Sequence, residues 1–541
     1  MIEIVAQKSQ FKTGDPLLFE CNGARQSSGK VNVFSGNQLF WLKEVEIVEN
    51  SFELAAHFPP GGYLLELEID QQTVQTAFDV DSKAIRYGFL SDFFEGGEND
   101  EAAIKWLRKL HLNFLQYYDW MYRHDNFIPE EDRFQDLLGR NLSLSTIKSR
   151  IRQAHASGMY NLAYGAIYGA TNQLAAAHPD WRMYDKDGRA ITFFDFLSIM
   201  NVNSSRPWHD HILAEYKKAV QLGFDGIHMD TYGFPKNAHD FENKKLDLPA
   251  DFGQLIDDAR EELEKVKDDV KLIFNNVGNW PVPAVANRKQ DALYIEVWEP
   301  YDSYQSLEEI IRKAKSCSLE KPVILAAYLK IFEQDVTEET YNALWLLTAV
   351  ITVLGATHLI HGENAGLITE GYYADYFRIN DEEMKQKISV YYDYITYLAS
   401  FWNDASLEDV SRTHFLGDNR EYVSDNKLLS PNLIAGKVWV NIRQNSSCKF
   451  INFVNLSRVE NTKWNEKKEI SEVGPYQFRV LLDDEVEEVT YSTPDGDGRK
   501  ITIKQLDYSF EKSQFGEYLV VNLPALEVWG SLLIKNRNER K

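Results

Sequence analysis

Hydrophobic and polar residues alternate with a period of two over the first 84 residues of the chain. The runs KVNVFSG, SFELAAHF and GYLLELEID follow this pattern, and the turn residues Pro-Pro-Gly-Gly at 59–62 separate the last two. Alternation of this kind is typical of β-strands that bury one face. We therefore predict a small β-sandwich of the immunoglobulin type over residues 1–84.

The pattern changes between residues 85 and 405, where short apolar runs alternate with amphipathic helical segments. Repeated β-then-α units are typical of a parallel sheet. An open doubly wound sheet is the alternative, but the region has no glycine-rich phosphate loop. We therefore predict a catalytic, eight-stranded (β/α) barrel of the TIM type over residues 85–405. The candidate strands lie at 114–120, 160–169, 193–200 (the weakest), 226–230, 271–276, 292–297, 322–327 and 356–361.

One segment of this region, Ala343 to Ile360, has the length and apolar character of a membrane span. Gly355, His358 and three threonines interrupt it, however. Glycine commonly follows the last residue of a helix. We predict a buried helix that ends near Gly355, a short strand after it, and a soluble protein without a membrane partner.

Strand-like alternation returns from residue 406 to the end of the chain. The runs KVWVNIR, CKFINFVNL, YQFRVLLD and EVTYST show it, with turn residues between them. We predict a C-terminal antiparallel β-sandwich over residues 406–541. Three domains suit a chain of 541 residues, which is too long for a single hydrophobic core.

Charge and composition narrow the function further. The chain has 58 basic and 82 acidic residues, a net charge of −24, which repels phosphate backbones, so we expect no nucleic-acid partner. Aromatic residues make up 13% of the chain and suit both sugar binding and a large core. The first residues lack the pattern of a signal peptide, so we expect a cytoplasmic protein, or a secreted one if a leader was removed.

Acidic residues at predicted strand ends are the strongest candidates for catalysis, because barrel enzymes place their active sites there. Asp230 and Glu296 end two strands that one other predicted strand separates. Two carboxyl groups about 5 Å apart act as nucleophile and acid/base in a retaining glycosidase. A single such acid could equally cap a turn. Glu299, in the next loop, is an alternative acid, and Asp225 is expected at the opposite, stabilising rim.

The first predicted barrel strand ends in QYYDWMYRHD, which contains Tyr118 and Asp119. Rings in such a segment either bind sugars or pack a loop over the core. Asp119 is a candidate to accept sugar hydroxyl groups or to form an ion pair with Arg123. Further polar or aromatic candidates near strand ends are Asn275, Trp298 and Glu363.

Metal and nucleophilic serine chemistry lack their usual motifs. His228, Asp230 and His361 could be imagined as metal ligands, but no close-spaced histidine motif is present, so we predict no metal. The chain also lacks the G-x-S-x-G nucleophile turn. We expect acid/base catalysis by carboxylates, without a cofactor.

Five segments together resemble glycoside hydrolase family 66, the family of endo-dextranases and cycloisomaltooligosaccharide glucanotransferases. They are RYGFLSDF at 86–93, QYYDWMYRHD at 116–125, FDGIHMDTYG at 224–233, FNNVGN at 274–279 and YIEVWE at 294–299. The resemblance runs in order through most of the chain. It implies retaining cleavage of α-1,6-linked glucan, a dextranase-like activity on dextran or isomaltooligosaccharides.

The resemblance also implies roles for particular residues. The family's nucleophile falls on Asp230 and its acid/base on Glu296, the same pair that the strand ends indicate. Tyr118 and Asp119 match positions of the glucose-binding floor. The looser matches, also expected to bind substrate, are Asn275, Trp298 and Glu363.

Three alternatives remain open from the sequence. A transglycosylase that forms cyclic or longer isomaltooligosaccharides would use the same two acids, although the barrel lacks the inserted β domain of the cyclising members. A non-catalytic glucan-binding protein would not need the acid pair. A hydrolase for another α-linked sugar fits as well, because residue spacing does not specify the linkage.

Overall fold

The computed structural model describes residues 2–24, 27–496 and 498–537 of the chain. Its first part contains two antiparallel sheets, one of β1, β2 and β5 and one of β4, β3, β6 and β7, which share a hydrophobic core. In β6, Leu65 and Leu67 are buried whereas Glu68 is exposed, as the alternation predicts. The immunoglobulin type stays a prediction. The strands are β1 (Glu3–Ala6), β2 (Leu17–Asn22), β3 (Ser27–Ser35), β4 (Gln38–Ile47), β5 (Ser51–Leu54), β6 (Gly61–Ile69) and β7 (Gln72–Val80).

The middle part contains a long parallel sheet with helices between its strands. Its strands and helices are, in order, β8 (Tyr87–Leu90), α1 (Ala102–Lys109), β9 (Phe114–Tyr117), β10 (Arg133–Gln135), β11 (Asn141–Ser143), α2 (Leu144–Ala156), β12 (Tyr160–Ala166), β13 (Gly169–Thr171), α3 (Asn172–Ala177), β14 (Thr192–Phe193), β15 (Leu197–Ile199), α4 (Pro207–Leu222), β16 (Gly226–Asp230), α5 (Leu248–Glu264), β17 (Lys271–Val277), α6 (Val282–Val285), β18 (Ala292–Glu296), α7 (Tyr304–Cys317), β19 (Val323–Ala326), α8 (Glu338–Val353), β20 (Thr357–Leu359), β21 (His361–Gly362), β22 (Gly366–Leu367), β23 (Phe377–Arg378), α9 (Glu382–Tyr397) and α10 (Ala399–Trp402). Short 3-10 helices cover Pro179–Trp181, Lys330–Glu333 and Glu363–Ala365.

The parallel sheet is curled. The strands β8, β9, β12, β16, β17, β18, β19 and β20 pair in this order, and β21 then pairs in parallel with β8, where Gly362 lies opposite Phe89. A side chain at Gly362 would clash with the Phe89 ring, since its Cβ would lie 2.2 Å from a ring carbon. Glycine at this position therefore permits the close contact between the last and the first strand.

One predicted strand of this region is wrong. Residues 193–200 do not join the parallel sheet; β14 and β15 form an antiparallel hairpin beside β13. The parallel sheet instead begins with β8, which the sequence analysis did not assign as a strand. The three phenylalanines at 193–196 have high strand propensity, but Phe194 is exposed at the hairpin tip.

The apolar segment 343–360 behaves as predicted. Helix α8 ends at Val353, Gly355 adopts a left-handed φ of +73°, and the short strand β20 follows. The helix is apolar on all sides because it packs between β20 of the parallel sheet and β28 of the C-terminal sheet. Within the described residues, no helix combines the length and apolar character needed to cross a bilayer.

The last part contains two antiparallel sheets that share a core, one of β24, β27, β28, β34, β30 and β31 with β26 beside β27, and one of β25, β29, β33 and β32. The chain as a whole is therefore a mixed α/β and β-rich multidomain protein. Its predicted boundaries near 84 and 405 stay predictions. The elements are β24 (Glu408–Asp409), α11 (Ser411–His414), β25 (Tyr422–Val423), β26 (Leu429–Ser430), β27 (Lys437–Gln444), β28 (Cys448–Leu456), β29 (Tyr476–Leu481), β30 (Val486–Thr493), β31 (Thr502–Gln505), β32 (Tyr508–Ser513), β33 (Gly516–Leu523) and β34 (Trp529–Asn536).

Candidate active site

A cavity of about 830 Å³ opens at the carboxyl ends of the parallel strands. Strand β16 ends at Asp230 and β18 ends at Glu296, and both side chains line the cavity. Strand β17 lies between them and contributes Asn275. Because neighbouring parallel strands end at the same edge of a sheet, the three side chains meet in one place.

Asn275 connects the two acids. Its amide nitrogen Nδ2 donates to Asp230 Oδ1 at 2.7 Å and to Glu296 Oε2 at 3.1 Å. Two oxygens bound to one nitrogen in this way lie within roughly 6 Å of each other. The carboxyl groups of retaining glycosidases are separated by roughly 5–5.5 Å. The structure thus brings the two predicted catalytic residues to a distance that suits this chemistry.

Each carboxyl group also has a tyrosine donor. Tyr164 of β12 donates to Asp230 Oδ2 at 2.7 Å, and Tyr328, which follows β19, donates to Glu296 Oε1 at 2.7 Å. Together with the two bonds from Asn275, all four carboxyl oxygens accept a hydrogen bond. This arrangement holds both side chains in fixed orientations at the bottom of the cavity.

Burial raises the pKa of both acids. The pKa of Asp230 is raised, because burial disfavours its charged form and because Glu296 lies beside it. The pKa of Glu296 is raised by burial too, and the hydrogen bonds from Tyr328 and Asn275 oppose that rise. Two enclosed carboxyl groups this close to each other share one proton over an interval of pH.

The predicted substrate residue Tyr118 follows β9 and lines the same cavity. Its ring stacks on Tyr373, with the ring centroids 4.7 Å apart, and packs against Tyr164 at 5.1 Å. Since Tyr164 binds Asp230, the ring of Tyr118 belongs to an aromatic wall next to the acid pair.

The neighbouring residue Asp119 also lines the cavity and is buried. Its Oδ1 lies 3.9 Å from His124 Nε2 and, within the described residues, accepts no hydrogen bond. Burial raises the pKa of Asp119, and the charges of His124 and Arg140 oppose this. Arg123, the alternative ion-pair partner, instead donates to two backbone carbonyl groups. Asp119 therefore places a carboxyl group at the cavity, and its Oδ1 atom is enclosed without a hydrogen-bond partner among the described residues.

Trp298 and Glu299 lie at the mouth of the cavity. The Trp298 side chain is 44% exposed, and its ring packs edge-on against Tyr328 at 5.7 Å. Glu299 is exposed as well, whereas Glu296 is enclosed and hydrogen-bonded on both oxygens. Because burial is what raises the pKa of a proton donor, the environment favours Glu296 over Glu299 as the acid.

The structure does not bring Glu363 into this cavity. Its side chain is fully buried, and Oε1 accepts hydrogen bonds from the backbone N–H groups of Ser91 and Asp92 at 2.7 and 2.8 Å. Burial raises the pKa of Glu363 to about 8. These contacts indicate that Glu363 fixes the loop after β8, and they give its predicted role in substrate binding no support.

His228, one of the imagined metal ligands, is buried on the same face of β16 as Asp230. Its Nδ1 lies 2.9 Å from the Tyr87 hydroxyl group, and burial lowers its pKa to about 3, so the ring is neutral. Among the residues that the structure describes, no group of three or more His, Cys, Asp and Glu side chains is arranged to hold a metal ion.

Two tyrosines of the site were not predicted from the sequence. Tyr328 directly follows the predicted strand 322–327, so the strand-end argument used for Asp230 would have found it. Tyr373 lies in the loop between β22 and β23, and its hydroxyl group contacts those of Tyr294 and Tyr328 at 2.8 and 3.0 Å. No periodic pattern fixes the position of a residue in such a loop.

The model of glycosyl hydrolase family 66 matches residues 41–533, a range that includes every predicted site residue. The chain belongs to glycosyl hydrolase family 66. This membership confirms the resemblance found in the sequence. It makes the protein a glycosidase-type enzyme.

Curated relatives of this family 66 chain include two cycloisomaltooligosaccharide glucanotransferases of Niallia circulans. One is 32% identical over 281 residues, which are 47% of this chain and 29% of the relative. The other is 28% identical over 337 residues, 57% of this chain and 34% of the relative. The matches thus span about a third of the length of these relatives.

Solved structures share the fold of this family 66 member. The crystal structure of a cycloisomaltooligosaccharide glucanotransferase from Paenibacillus sp., complexed with cycloisomaltoheptaose, aligns with a TM-score of 0.87 at 19% identity, over 98% of this chain and 100% of that chain. An α-amylase from Geobacillus thermoleovorans, complexed with acarbose, aligns with a TM-score of 0.51 at 10% identity, over 84% of this chain and 99% of that chain. At these identities the likeness concerns the fold alone.

Proposed function

We propose that this family 66 member cleaves α-1,6-glucosidic linkages of dextran or isomaltooligosaccharides with retention of configuration. Asp230 is the nucleophile and Glu296 the acid/base. The observation that carries the proposal is the pair of carboxyl groups that Asn275 bridges within one cavity. The choice of linkage is supported by the names of the two curated relatives, which are cycloisomaltooligosaccharide glucanotransferases.

The hydrogen bonds favour Glu296 as the residue that carries the shared proton. Both oxygens of Asp230 accept bonds of 2.7 Å, which stabilise its charged form. Glu296 Oε2 accepts only the longer bond of 3.1 Å from Asn275. A proton on this oxygen displaces the weakest of the four bonds and is available to a glycosidic oxygen in the cavity.

The reaction then proceeds by double displacement. Asp230 attacks C1 of a glucose unit, the bond from C1 to the glycosidic oxygen breaks, and Glu296 gives its proton to that oxygen. The product is a β-glucosyl ester of Asp230. Glu296, now a carboxylate, takes a proton from water while the water oxygen attacks C1 and releases Asp230, so the new reducing end has the α configuration.

Sugar binding is assigned to the side chains around the acid pair. The carboxyl group of Asp119, which lines the cavity, accepts hydrogen bonds from glucose hydroxyl groups, which carboxylates bind strongly. Tyr118 and Trp298 provide apolar ring surfaces next to these polar contacts. Trp298 packs against Tyr328, which binds the proton donor Glu296, so we assign its ring to the sugar next to this donor.

We also propose that the curled sheet is the predicted eight-stranded (β/α) barrel of the TIM type. The pairing of β20 with β19 and of β21 with β8 supports it, because these two segments are separated by a single residue and connect both ends of the sheet. A closed barrel gathers the ends of all its strands around one mouth. This arrangement explains why tyrosines from β12 and from the loop after β19 reach the same two acids.

Transfer to a sugar is the second candidate function. Both curated relatives and the Paenibacillus protein are named glucanotransferases. The same glucosyl ester of Asp230 would be attacked by a sugar hydroxyl group instead of water. An acceptor sugar held on Trp298 would exclude water from the ester and favour this outcome.

A substrate panel with active-site variants tests the proposal. We expect the purified protein to release reducing sugar from dextran and isomaltooligosaccharides but not from pullulan or starch, and chromatography of the products separates hydrolysis from cyclisation or elongation. Asp230→Ala and Glu296→Gln should each lower kcat by roughly a thousandfold or more. Glu299→Gln is the matched control and should retain at least a tenth of the activity. Normal turnover of dextran by either first variant would overturn the assignment.

A further inference from the structure

An unusual pair of phenylalanines lies at the mouth of the cavity. The hairpin of β14 and β15 has a three-residue tip at 194–196, and Phe193, Phe194 and Phe196 all line the cavity. The rings of Phe194 and Phe196 are stacked, with centroids 5.7 Å apart and planes 9° apart. The Phe194 side chain is 69% exposed. The two stacked rings thus form an apolar surface at the mouth of the cavity, in which Phe194 is exposed and Phe196 is half-buried.

The backbone of the hairpin tip is strained at Phe194, one of the two residues that form this surface. Phe194 has a φ of 52°, in the left-handed region that bulky side chains rarely adopt. Asparagine or glycine would fit this position without that strain and without exposing a ring. Strain of this kind is frequent where a residue contacts a ligand.

The hairpin tip is also held in place. The Asn172 side chain donates from Nδ2 to the backbone carbonyl oxygen of Asp195 at 2.7 Å. On the inner side, the ring of Phe193 packs against Phe194 at 4.6 Å and against Tyr168 at 5.7 Å. The rings are therefore anchored to the wall of the cavity.

We infer that Phe194 and Phe196 form a distal sugar-binding subsite, which takes glucose units of a glucan chain that extends out of the cavity and so favours long substrates over short ones. This inference rests on the proposed function. The occupant follows from the continuity of the two rings with the cavity around Asp230. It also follows from the flat apolar faces of pyranose rings, which stack on aromatic side chains.

The inference is tested with a double variant, Phe194→Asn with Phe196→Ser. Asparagine relieves the strain of the left-handed backbone, which offsets the packing that Phe196→Ser removes, so the thermal midpoint of the variant should stay close to that of the wild type. The ratio of kcat/KM on dextran to kcat/KM on an aryl α-isomaltoside should fall about tenfold, through a higher KM for dextran. Phe510→Ser, which removes another exposed ring from β32 in the C-terminal sheet, is the control and should leave this ratio unchanged.

Binding is measured separately by electrophoresis in gels that contain dextran. We expect dextran to retard the wild type and the control, and to retard the double variant much less. An unchanged KM for dextran, an equal loss on both substrates, or unchanged retardation would overturn the distal subsite. If the wild type instead cleaves no α-1,6-glucan, the proposed function fails, and the retardation alone then decides whether the two phenylalanines bind glucan.

Discussion

Removing the hydroxyl group of Tyr328 tests the division of roles between the two acids. This hydroxyl group donates the 2.7 Å hydrogen bond to Glu296 Oε1, whereas Asp230 has its own donor in Tyr164. Tyr328→Phe keeps the ring and its packing against Trp298. The substitution therefore removes the hydrogen bond to Glu296 and the 3.0 Å contact with the Tyr373 hydroxyl group, and it leaves the ring in place.

The size of the effect follows from the lost bond. A hydrogen bond to a charged group contributes roughly 1.5–3 kcal/mol, and one pKa unit corresponds to about 1.4 kcal/mol. The bond favours the charged form, so its loss raises the pKa of Glu296 further. Because water from the cavity replaces part of the interaction, we expect a rise of about one unit.

The assay is the pH dependence of kcat/KM on a soluble α-1,6-glucan substrate. The reaction needs Asp230 ionised and Glu296 protonated, so the acid limb reports Asp230 and the alkaline limb reports Glu296. In Tyr328→Phe the alkaline limb should move upward by about one unit, with a smaller change in the acid limb.

Tyr164→Phe is the matched control, because it removes the bond of the same length to Asp230. In this variant the acid limb should move upward instead. If Tyr328→Phe moved the acid limb and Tyr164→Phe the alkaline one, the roles of the two acids would be reversed. If neither limb moved in either variant, the pair would not be the groups that titrate in the reaction.

Two further predictions concern stability. The pKa of Glu363 in the fold, about 8, lies above its ordinary value of 4.5, so the wild type loses stability as the pH rises through this interval. The thermal midpoint of Glu363→Gln should therefore rise relative to that of the wild type as the pH increases from 5 to 8. A difference between the two midpoints that stays constant over this range would contradict the prediction. Asp225 accepts hydrogen bonds from His155 and Lys267, and these contacts lower its pKa. The thermal midpoint of Asp225→Asn should therefore be roughly 2–4 °C below that of the wild type at pH 7. The two midpoints should converge as the pH falls below about 4, where the wild-type carboxyl group is protonated. Unchanged kcat/KM in Asp225→Asn would fit its place at the opposite rim, and a large loss of kcat in a stable variant would contradict it.

The sequence was sufficient to predict the centre of the candidate site. Asp230, Asn275 and Glu296 were found because each lies at the end of a short apolar run, and parallel strands end at one edge of their sheet. The same reasoning predicted the helix that ends before Gly355. In each case the hydrophobic pattern fixed both the type of element and the position of its end.

Other parts of the fold could not be read from the same pattern. Strand β8 has four residues, all buried, so it shows no alternation, and it lies at the predicted domain boundary. Residues 193–196 have the composition of a strand, but 194–196 form the tip of a hairpin, and strand propensity does not reveal that Phe194 is exposed there. Tyr373 comes from a loop, where tertiary contacts alone determine which side chain reaches the cavity, and such contacts also hold Glu363 outside it.

Mass spectrometry of a trapped intermediate tests the central claim most directly. A fluorinated α-glucosyl fluoride that forms the glycosyl-enzyme faster than the ester breaks down should inactivate the protein and add one sugar to it. After proteolysis we expect the added mass on the peptide that contains Asp230, and no label in Asp230→Asn. A label on Glu296, or release of a β-configured product without any covalent intermediate, would contradict the double displacement through Asp230.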